Sequence, residues 1–196
     1  MLDLNKILNF YYGWWKNIDK FILFLILFLF LLGLFFSLVS TSIIASDKLN
    51  TNTYYFFIKH LFFIIIAVII LITFSAINQK KLFQISKYLF FVFLIFLILV
   101  PFIGVEIKGS ARWIDLPLIP RFQPIEILKP FLIIVISSVF ALDDQKNIYF
   151  KYLFSFLIIF PVILLLISQP DIGQTVLIIL TWFSLIFVSG INLLFF

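Results

Sequence analysis

Long stretches without a charged residue divide this chain of 196 residues. Five of them contain 18 to 26 residues each, and a helix of about 20 apolar residues crosses the hydrocarbon core of a bilayer. Backbone N–H and C=O groups in lipid must be hydrogen-bonded within their own segment, so these stretches predict helices. They lie at 21–46, 61–79, 88–105, 152–170 and 172–196.

A sixth membrane-spanning helix is predicted around a shorter apolar stretch. Pro130–Leu142 contains 13 residues without a charge, and it becomes long enough only when it is extended back to Phe122. That extension places Glu126 and Lys129 inside the helix.

The sequence therefore predicts an all-α fold, a polytopic helical bundle in a membrane. Residues 1–20 are predicted to be a cytoplasmic segment, and 21–196 one transmembrane domain. The six spans are predicted at approximately 21–46, 57–79, 87–105, 122–142, 150–168 and 171–194.

Composition excludes several other classes of protein. Hydrophobic residues make up 64% of the chain and charged residues 12%, which excludes a soluble globular domain and a disordered chain. With no cysteine and one histidine, cysteine-ligated and multi-histidine metal sites are excluded. No cofactor is identifiable, and a divalent cation is left open. The net charge of +5 indicates lysines that face anionic lipid, not nucleic acid.

The basic residues predict the orientation in the membrane. Eight of them share a side with the N-terminus and six lie on the other side, and an excess of Lys and Arg marks cytoplasmic loops. The N-terminus is therefore predicted to be cytoplasmic. The eight are Lys6, Lys16, Lys20, Lys80, Lys81, Lys87, Lys146 and Lys151, and the six are Lys48, Lys59, Lys108, Arg112, Arg121 and Lys129.

Candidate chemistry begins in the extracytoplasmic loop at 106–121, which holds both arginines of the chain. Arginine offers a planar fork that binds phosphate or carboxylate with two hydrogen bonds, which lysine cannot do. For Arg112 an anionic ligand and a structural pairing with a carboxylate are equally good interpretations. For Arg121 the structural pairing is favoured.

Two further groups of polar residues are predicted on the same side of the membrane. Glu126 and Lys129 are three residues apart and share a helix face, so they either form an ion pair that holds the bundle or line a polar cavity with Gln123 and Arg112. The cavity is favoured, because ionisable residues inside spans usually face one. Asp171 either caps the sixth span or joins the same cavity.

Three motifs in this order resemble the SEDS family of membrane proteins, which includes FtsW, RodA and SpoVE. They are Lys-Gly-Ser-Ala-Arg-Trp-Ile-Asp at 108–115, Gln-Pro-Ile-Glu-Ile-Leu-Lys-Pro at 123–130 and Gln-Pro-Asp-Ile-Gly-Gln-Thr at 169–175. The flanking residues look most like the alphaproteobacterial FtsW branch. The resemblance covers essentially the whole chain, as the N-terminal part of a longer member.

The resemblance implies a peptidoglycan glycosyltransferase in the bacterial inner membrane. Such enzymes polymerise lipid II, whose sugars are carried on undecaprenyl diphosphate, and the FtsW branch does so at the division septum. A class B penicillin-binding protein and other divisome membrane proteins are the implied partners. By motif, the implied substrate cavity includes Arg112, Gln123, Glu126, Lys129 and Asp171.

Family members have about ten spans, and the resemblance places the catalytic aspartate in a later loop. We therefore expect the catalytic residue to lie beyond Phe196 and this chain to be a fragment or a truncated product. Two other functions use the same features. One is a lipid II flippase or other lipid transporter, and the other is a non-catalytic membrane scaffold of the divisome.

Overall fold

The structure is a computed structural model that describes residues 12–41, 54–107, 109–117, 119–142 and 148–189. It confirms the polytopic helical bundle, with six helices in this part of the chain. These are α1 (Lys20–Phe36), α2 (Tyr55–Ser75), α3 (Gln79–Ile103), α4 (Pro124–Phe140), α5 (Ile148–Ser168) and α6 (Ile172–Val188). A three-stranded sheet lies between α3 and α4 in the sequence.

The helix bounds differ from the predicted spans in the first half of the chain. After α1 comes a π-helical turn at Ser37–Thr41, and residues 42–46 of the predicted span lie outside the described residues. The third span is predicted to begin at 87, whereas helix α3 already begins at Gln79. Lys80, Lys81 and Lys87 therefore lie on the first turns of α3. Lys and Gln favour helices, and a charged residue marks the edge of the lipid rather than the end of a helix.

Length and composition separate the helices into two groups. Among the described residues, four helical segments are long and apolar enough to cross a membrane: Lys20–Val39, Tyr55–Ser75, Gln79–Ile103 and Tyr149–Ser168. The helices α4 and α6 contain 17 residues each, which is about 26 Å of helix. At α4 and α6, therefore, a complete span stays a prediction.

The chain forms two compact units, residues 1–78 and residues 79–196. In the first unit neither α1 nor α2 has a buried residue. Their contacts include the ring of His60, which lies 3.4 Å from where a Cβ on Gly33 would be. The indole Nε1 of Trp14 also donates a hydrogen bond of 2.8 Å to Ser75 Oγ.

The second unit has a buried core between α3, α4, α5 and α6. Phe93 of α3 stacks on Phe131 of α4 with 6.2 Å between the ring centroids. In α5 and α6, the indole of Trp182 donates a hydrogen bond to the buried Ser155 hydroxyl. The hydrophobic residues of this core that are at most 2% exposed are Leu97, Val100, Ile114, Ile125, Leu128, Leu132, Ile136, Ile159, Val162, Leu166, Ile178 and Ile186.

Lys151 departs from its predicted place in a cytoplasmic loop. It lies in the first turn of α5 and is 8% exposed. Its Nζ donates to the backbone carbonyl oxygens of Phe140 and Leu142, at 3.2 and 2.7 Å. A lysine here satisfies carbonyls at the C-terminal end of α4, where intrahelical donors run out.

The loop predicted at 106–121 is largely an antiparallel sheet. The strands are β1 (Val105–Ile107), β2 (Ser110–Leu116) and β3 (Ile119–Phe122), with β2 in the centre. The hairpin between β1 and β2 contains Gly109, whose φ of 81° suits glycine. The sheet was not predicted, because the strands are short and the longest one, β2, breaks its apolar–polar alternation at Trp113 and Ile114.

Candidate functional site

Three segments of the second unit meet through polar side chains. They are strand β2, the beginning of α4 and the turn at 169–171 between α5 and α6. Gln123, at the start of α4, donates from Nε2 to Asp171 Oδ2 over 2.8 Å. We call the resulting group of linked residues the polar cluster, which Gln169 joins through its backbone oxygen; its members are Arg112, Gln123, Glu126, Lys129, Gln169, Asp171 and Gln174.

Asp171 lies at the centre of the polar cluster and is 5% exposed. It is the N-cap of α6, where its Oδ1 accepts the backbone N–H of Gln174 at 3.5 Å. The same carboxylate accepts from Gln123, and it lies 3.7 Å from Nη1 of Arg112. The sequence analysis left open whether Asp171 caps a helix or joins other polar groups, and the structure shows both.

Arg112 holds the turn that precedes α6. Its Nε donates to the backbone oxygen of Gln169 at 3.4 Å, and its Nη2 donates to the backbone oxygen of Pro170. With the nearby Asp171 carboxylate, these contacts form the structural pairing that was one of its two interpretations. The side chain of Arg112 is still 33% exposed, so the guanidinium remains accessible to an anion.

Glu126 and Lys129 form an ion pair, which was the less favoured of their two interpretations. Lys129 Nζ lies 2.7 Å from Glu126 Oε2, and both side chains also bind the amide of Gln174. Its Oε1 accepts from Lys129 at 3.0 Å and its Nε2 donates to Glu126 Oε1 at 2.6 Å. The glutamate side chain is 47% exposed and the lysine side chain 18%. The lysine is therefore mostly enclosed by protein, whereas the carboxylate is accessible from outside.

Arg121 takes no part in the polar cluster. Its Nη2 and Nε donate to the same oxygen of Asp115, at 2.6 and 3.2 Å. Both side chains are almost half exposed, and they link strand β3 to strand β2. This is the structural role that was favoured for Arg121.

The sequence analysis did not select two glutamines that the structure places in the polar cluster. Gln169 is 4% exposed and Gln174 connects Glu126 with Lys129. Charge was the signal for every candidate except Gln123, and an amide carries none. Both residues lie in the motif at 169–175, whose unusual polarity between two apolar spans could have identified them.

Neither a metal site nor a cavity of the first unit defines this site. Within the described ranges, no group of three or more His, Cys, Asp or Glu side chains could hold a metal ion. Glu126 and Asp171 are instead paired with the cations Lys129 and Arg112. A cavity of about 600 Å³ in the first unit is lined by residues including Trp14, and it contains no predicted site residue.

A family model for cell cycle proteins of the FtsW, RodA and SpoVE type matches residues 19–196. The probable peptidoglycan glycosyltransferase FtsW of Caulobacter vibrioides is 27% identical over 178 residues, which are 91% of this chain and 45% of that protein. The protein of the same name from Wigglesworthia glossinidia brevipalpis is 29% identical over 177 residues, 89% of this chain and 46% of its own. The chain thus spans about half the length of the curated relatives it matches.

Two solved structures share the fold. The rod shape determining protein RodA of Thermus thermophilus matches with a TM-score of 0.54 and 28% identity, over 59% of this chain and 38% of RodA. A chain of a peptidoglycan synthase complex matches with a TM-score of 0.62 and 23% identity, over 81% of this chain and 47% of its own.

Proposed function

The chain belongs to the FtsW/RodA/SpoVE family of cell cycle proteins, and from that membership we propose that it is part of a peptidoglycan glycosyltransferase that polymerises lipid II. The proposed role of this chain is to bind the diphosphate of the lipid-linked substrate. Its polar cluster is the observation that carries the proposal. The names of the curated relatives support the reaction class.

The cations of the polar cluster suit a diphosphate. Lys129 has three N–H donors, and its acceptors among the described residues are Glu126 and Gln174, which leaves one N–H for a ligand. Arg112 is held by the 169–171 turn and is partly exposed. Fixed, partly desolvated cations stabilise a departing diphosphate better than mobile ones, because they need not reorganise during the reaction.

Activation of the acceptor sugar, the other half of the reaction, needs a separate group. The 4-hydroxyl of the acceptor sugar attacks C1 of the donor, the bond from C1 to the diphosphate oxygen breaks, and a base takes the hydroxyl proton. Glu126 and Asp171 are poor free bases, because each carboxylate is paired with a cation and accepts a hydrogen bond from a side-chain amide. The proposed base is the aspartate that the family resemblance places after Phe196, so residues 1–196 alone are expected to make no glycan strands.

The proposed setting is the division septum, with a class B penicillin-binding protein as the partner. The likeness of the fold to a chain of a peptidoglycan synthase complex supports such an assembly. The chain is a multi-pass membrane protein by its apolar helices. The proposed orientation has a cytoplasmic N-terminus and the polar cluster outside.

Polymerisation of lipid II by the complete protein tests the proposal. With the penicillin-binding partner present, Lys129→Met is expected to slow strand formation about 100-fold while the membrane level of the protein stays near normal. Lys87→Met, at an exposed lysine of α3, is the matched control and should polymerise like the wild type. An unchanged rate in Lys129→Met would contradict the proposal, and translocation of lipid II without polymerisation would favour the transporter instead.

Cysteine labelling tests the orientation. A cysteine at Ser110 should react with a membrane-impermeant thiol reagent in intact spheroplasts, and a cysteine at Asn78 should not. The residues of this chain contribute no native cysteine to the background. The reverse pattern of labelling would place the polar cluster in the cytoplasm and exclude the proposed substrate side.

A further inference from the structure

The interior of α3 contains a proline, Pro101. Proline has no backbone N–H, so the carbonyl four residues earlier in the helix loses its usual donor. That carbonyl belongs to Leu97, which is 1% exposed. A buried carbonyl without a donor destabilises a fold, so another hydrogen-bond donor is expected to replace the missing N–H.

The replacement donor comes from the turn between α5 and α6. Gln169 directs its Nε2 to the carbonyl oxygen of Leu97 over 3.1 Å, in a buried position. The two residues are 72 positions apart in the sequence. The hydrogen bond therefore ties the proline-containing part of α3 to a turn that is distant along the chain.

The same turn carries the centre of the polar cluster. The backbone oxygen of Gln169 accepts from Nε of Arg112, and Asp171 follows two residues later. The backbone N–H of Asp171 donates to the carbonyl of Leu166 at 2.9 Å, which keeps the turn short. A displacement of Gln169 would move an acceptor of Arg112 and the carboxylate of Asp171 together.

We propose that Gln169 is a positioning residue whose amide replaces the hydrogen bond that Pro101 removes from α3. The bond anchors the turn that carries Asp171 against that helix. This inference goes beyond the proposed function and does not depend on it, because it concerns the geometry of the turn and not the ligand.

A double-mutant cycle on the complete protein tests the pairing with the proline. Gln169→Met keeps the length of the side chain and removes the donor, so Tm should fall by about 5 °C. In a Pro101→Ala background the same change should lower Tm by less than half as much, because residue 101 then supplies its own N–H to Leu97. Pro161→Ala, at the interior proline of α5, is the matched control and should leave the loss undiminished.

Spin labels test the positioning separately from stability. Labels on cysteines introduced at Phe91 and Ile172, which are 61% and 76% exposed, report the distance between α3 and the start of α6. The distance distribution should be narrow with Gln169 and broad with Gln169→Met. It should stay broad in the Pro101→Ala/Gln169→Met double variant, where the Leu97 carbonyl is satisfied but the anchor to the turn is missing.

Each part of the proposal can be overturned. Equal losses of Tm in the wild-type and Pro101→Ala backgrounds would overturn the pairing of Gln169 with the proline. A distance distribution that Gln169→Met leaves unchanged, or that Pro101→Ala restores, would overturn the positioning role. If Gln169→Met does not fold, the proposal expects folding to return with Pro101→Ala and not with Pro161→Ala, and any other result contradicts it.

Discussion

The two units of the chain use the same local devices in different surroundings. Each begins a helix at an aspartate cap, Asp19 for α1 and Asp171 for α6, and each has an indole that donates to a serine hydroxyl. In the first unit these groups are exposed, whereas in the second they are mostly buried and Asp171 is bound to other segments. The comparison teaches that burial and cross-links, rather than the motif itself, decide how much a polar group contributes.

The reason lies in the alternative that each polar group has when its partner is removed. A group near the surface can find water or a headgroup, so its hydrogen bond adds little to stability. A buried group has no such replacement, and its loss carries the full cost of desolvation. Four pairs of substitutions, one of them within the second unit, test this difference.

The largest expected effect is at the aspartate caps. Asp171→Ala removes the cap of α6, the acceptor for Gln123 and the partner of Arg112, so the free energy of unfolding should fall by about 3 kcal/mol. Asp19→Ala removes hydrogen bonds to the N–H groups of Phe21 and Ile22 alone, and about 1 kcal/mol is expected. Equilibrium unfolding of the complete protein in mixed micelles measures both, and equal losses would refute the comparison.

Glycines give the next contrast. A Cβ at Gly104, just after α3, would lie 2.3 Å from the backbone oxygen of Val100, so Gly104→Ala should destabilise by about 2 kcal/mol. A Cβ at Gly33 would meet only the ring of His60, at an ordinary 3.4 Å, and alanine favours the helix of α1. Thermal unfolding should therefore show a lower Tm for Gly104→Ala and an unchanged or higher Tm for Gly33→Ala. A lower Tm for Gly33→Ala would contradict this expectation and show that the first unit is packed more tightly than the exposure of its side chains indicates.

The arginines extend the contrast to function within the second unit. Arg112→Lys loses the planar fork that reaches two backbone oxygens and a carboxylate, and polymerisation by the complete protein is expected to fall about 10-fold, as for one charged hydrogen bond. Arg121→Lys keeps a charge beside the exposed Asp115, and its rate should stay within about twofold of the wild type. Membrane levels measured alongside separate activity from folding, and equal tolerance at both positions would remove Arg112 from the site.

The smallest effect is expected at the serines that accept from indoles. Ser155→Ala removes the hydroxyl that accepts from Nε1 of the buried Trp182, which should cost about 1 kcal/mol. Ser75→Ala removes the acceptor of Trp14 at an exposed helix end, and a change below about 0.5 kcal/mol is expected. Unfolding in mixed micelles resolves the pair, and a larger loss at Ser75 would reverse the comparison.

The candidate site shows how far charge patterning reaches. All five residues that the sequence selected meet in the polar cluster, because ionisable residues beside apolar spans have few places where they are stable. The i,i+3 spacing of Glu126 and Lys129 allowed their ion pair but did not select it, because a polar cavity was the favoured interpretation. Their role in binding a substrate stays a proposal.

Gln169 and Gln174 could not be selected in the same way. Gln169 is important because Pro101 leaves a carbonyl without a donor 72 positions away in the chain, and no local pattern connects these two residues. Similarly, nothing in the sequence around Arg112 and Arg121 says which one reaches the turn before α6 and which one binds within its own hairpin.

The amino-acid sequence by itself determined the helices, because a backbone in lipid has few ways other than a helix to satisfy its hydrogen bonds. The length of an apolar stretch, which decides whether it can cross the bilayer, is counted directly in the sequence. It also selected polar residues that the fold brings together in the polar cluster. Only the tertiary structure decided the small sheet after α3 and the partner of each buried polar group. Hydrophobicity acts without direction and can be summed along the chain, whereas a hydrogen bond depends on distance and angle between segments that only folding brings together.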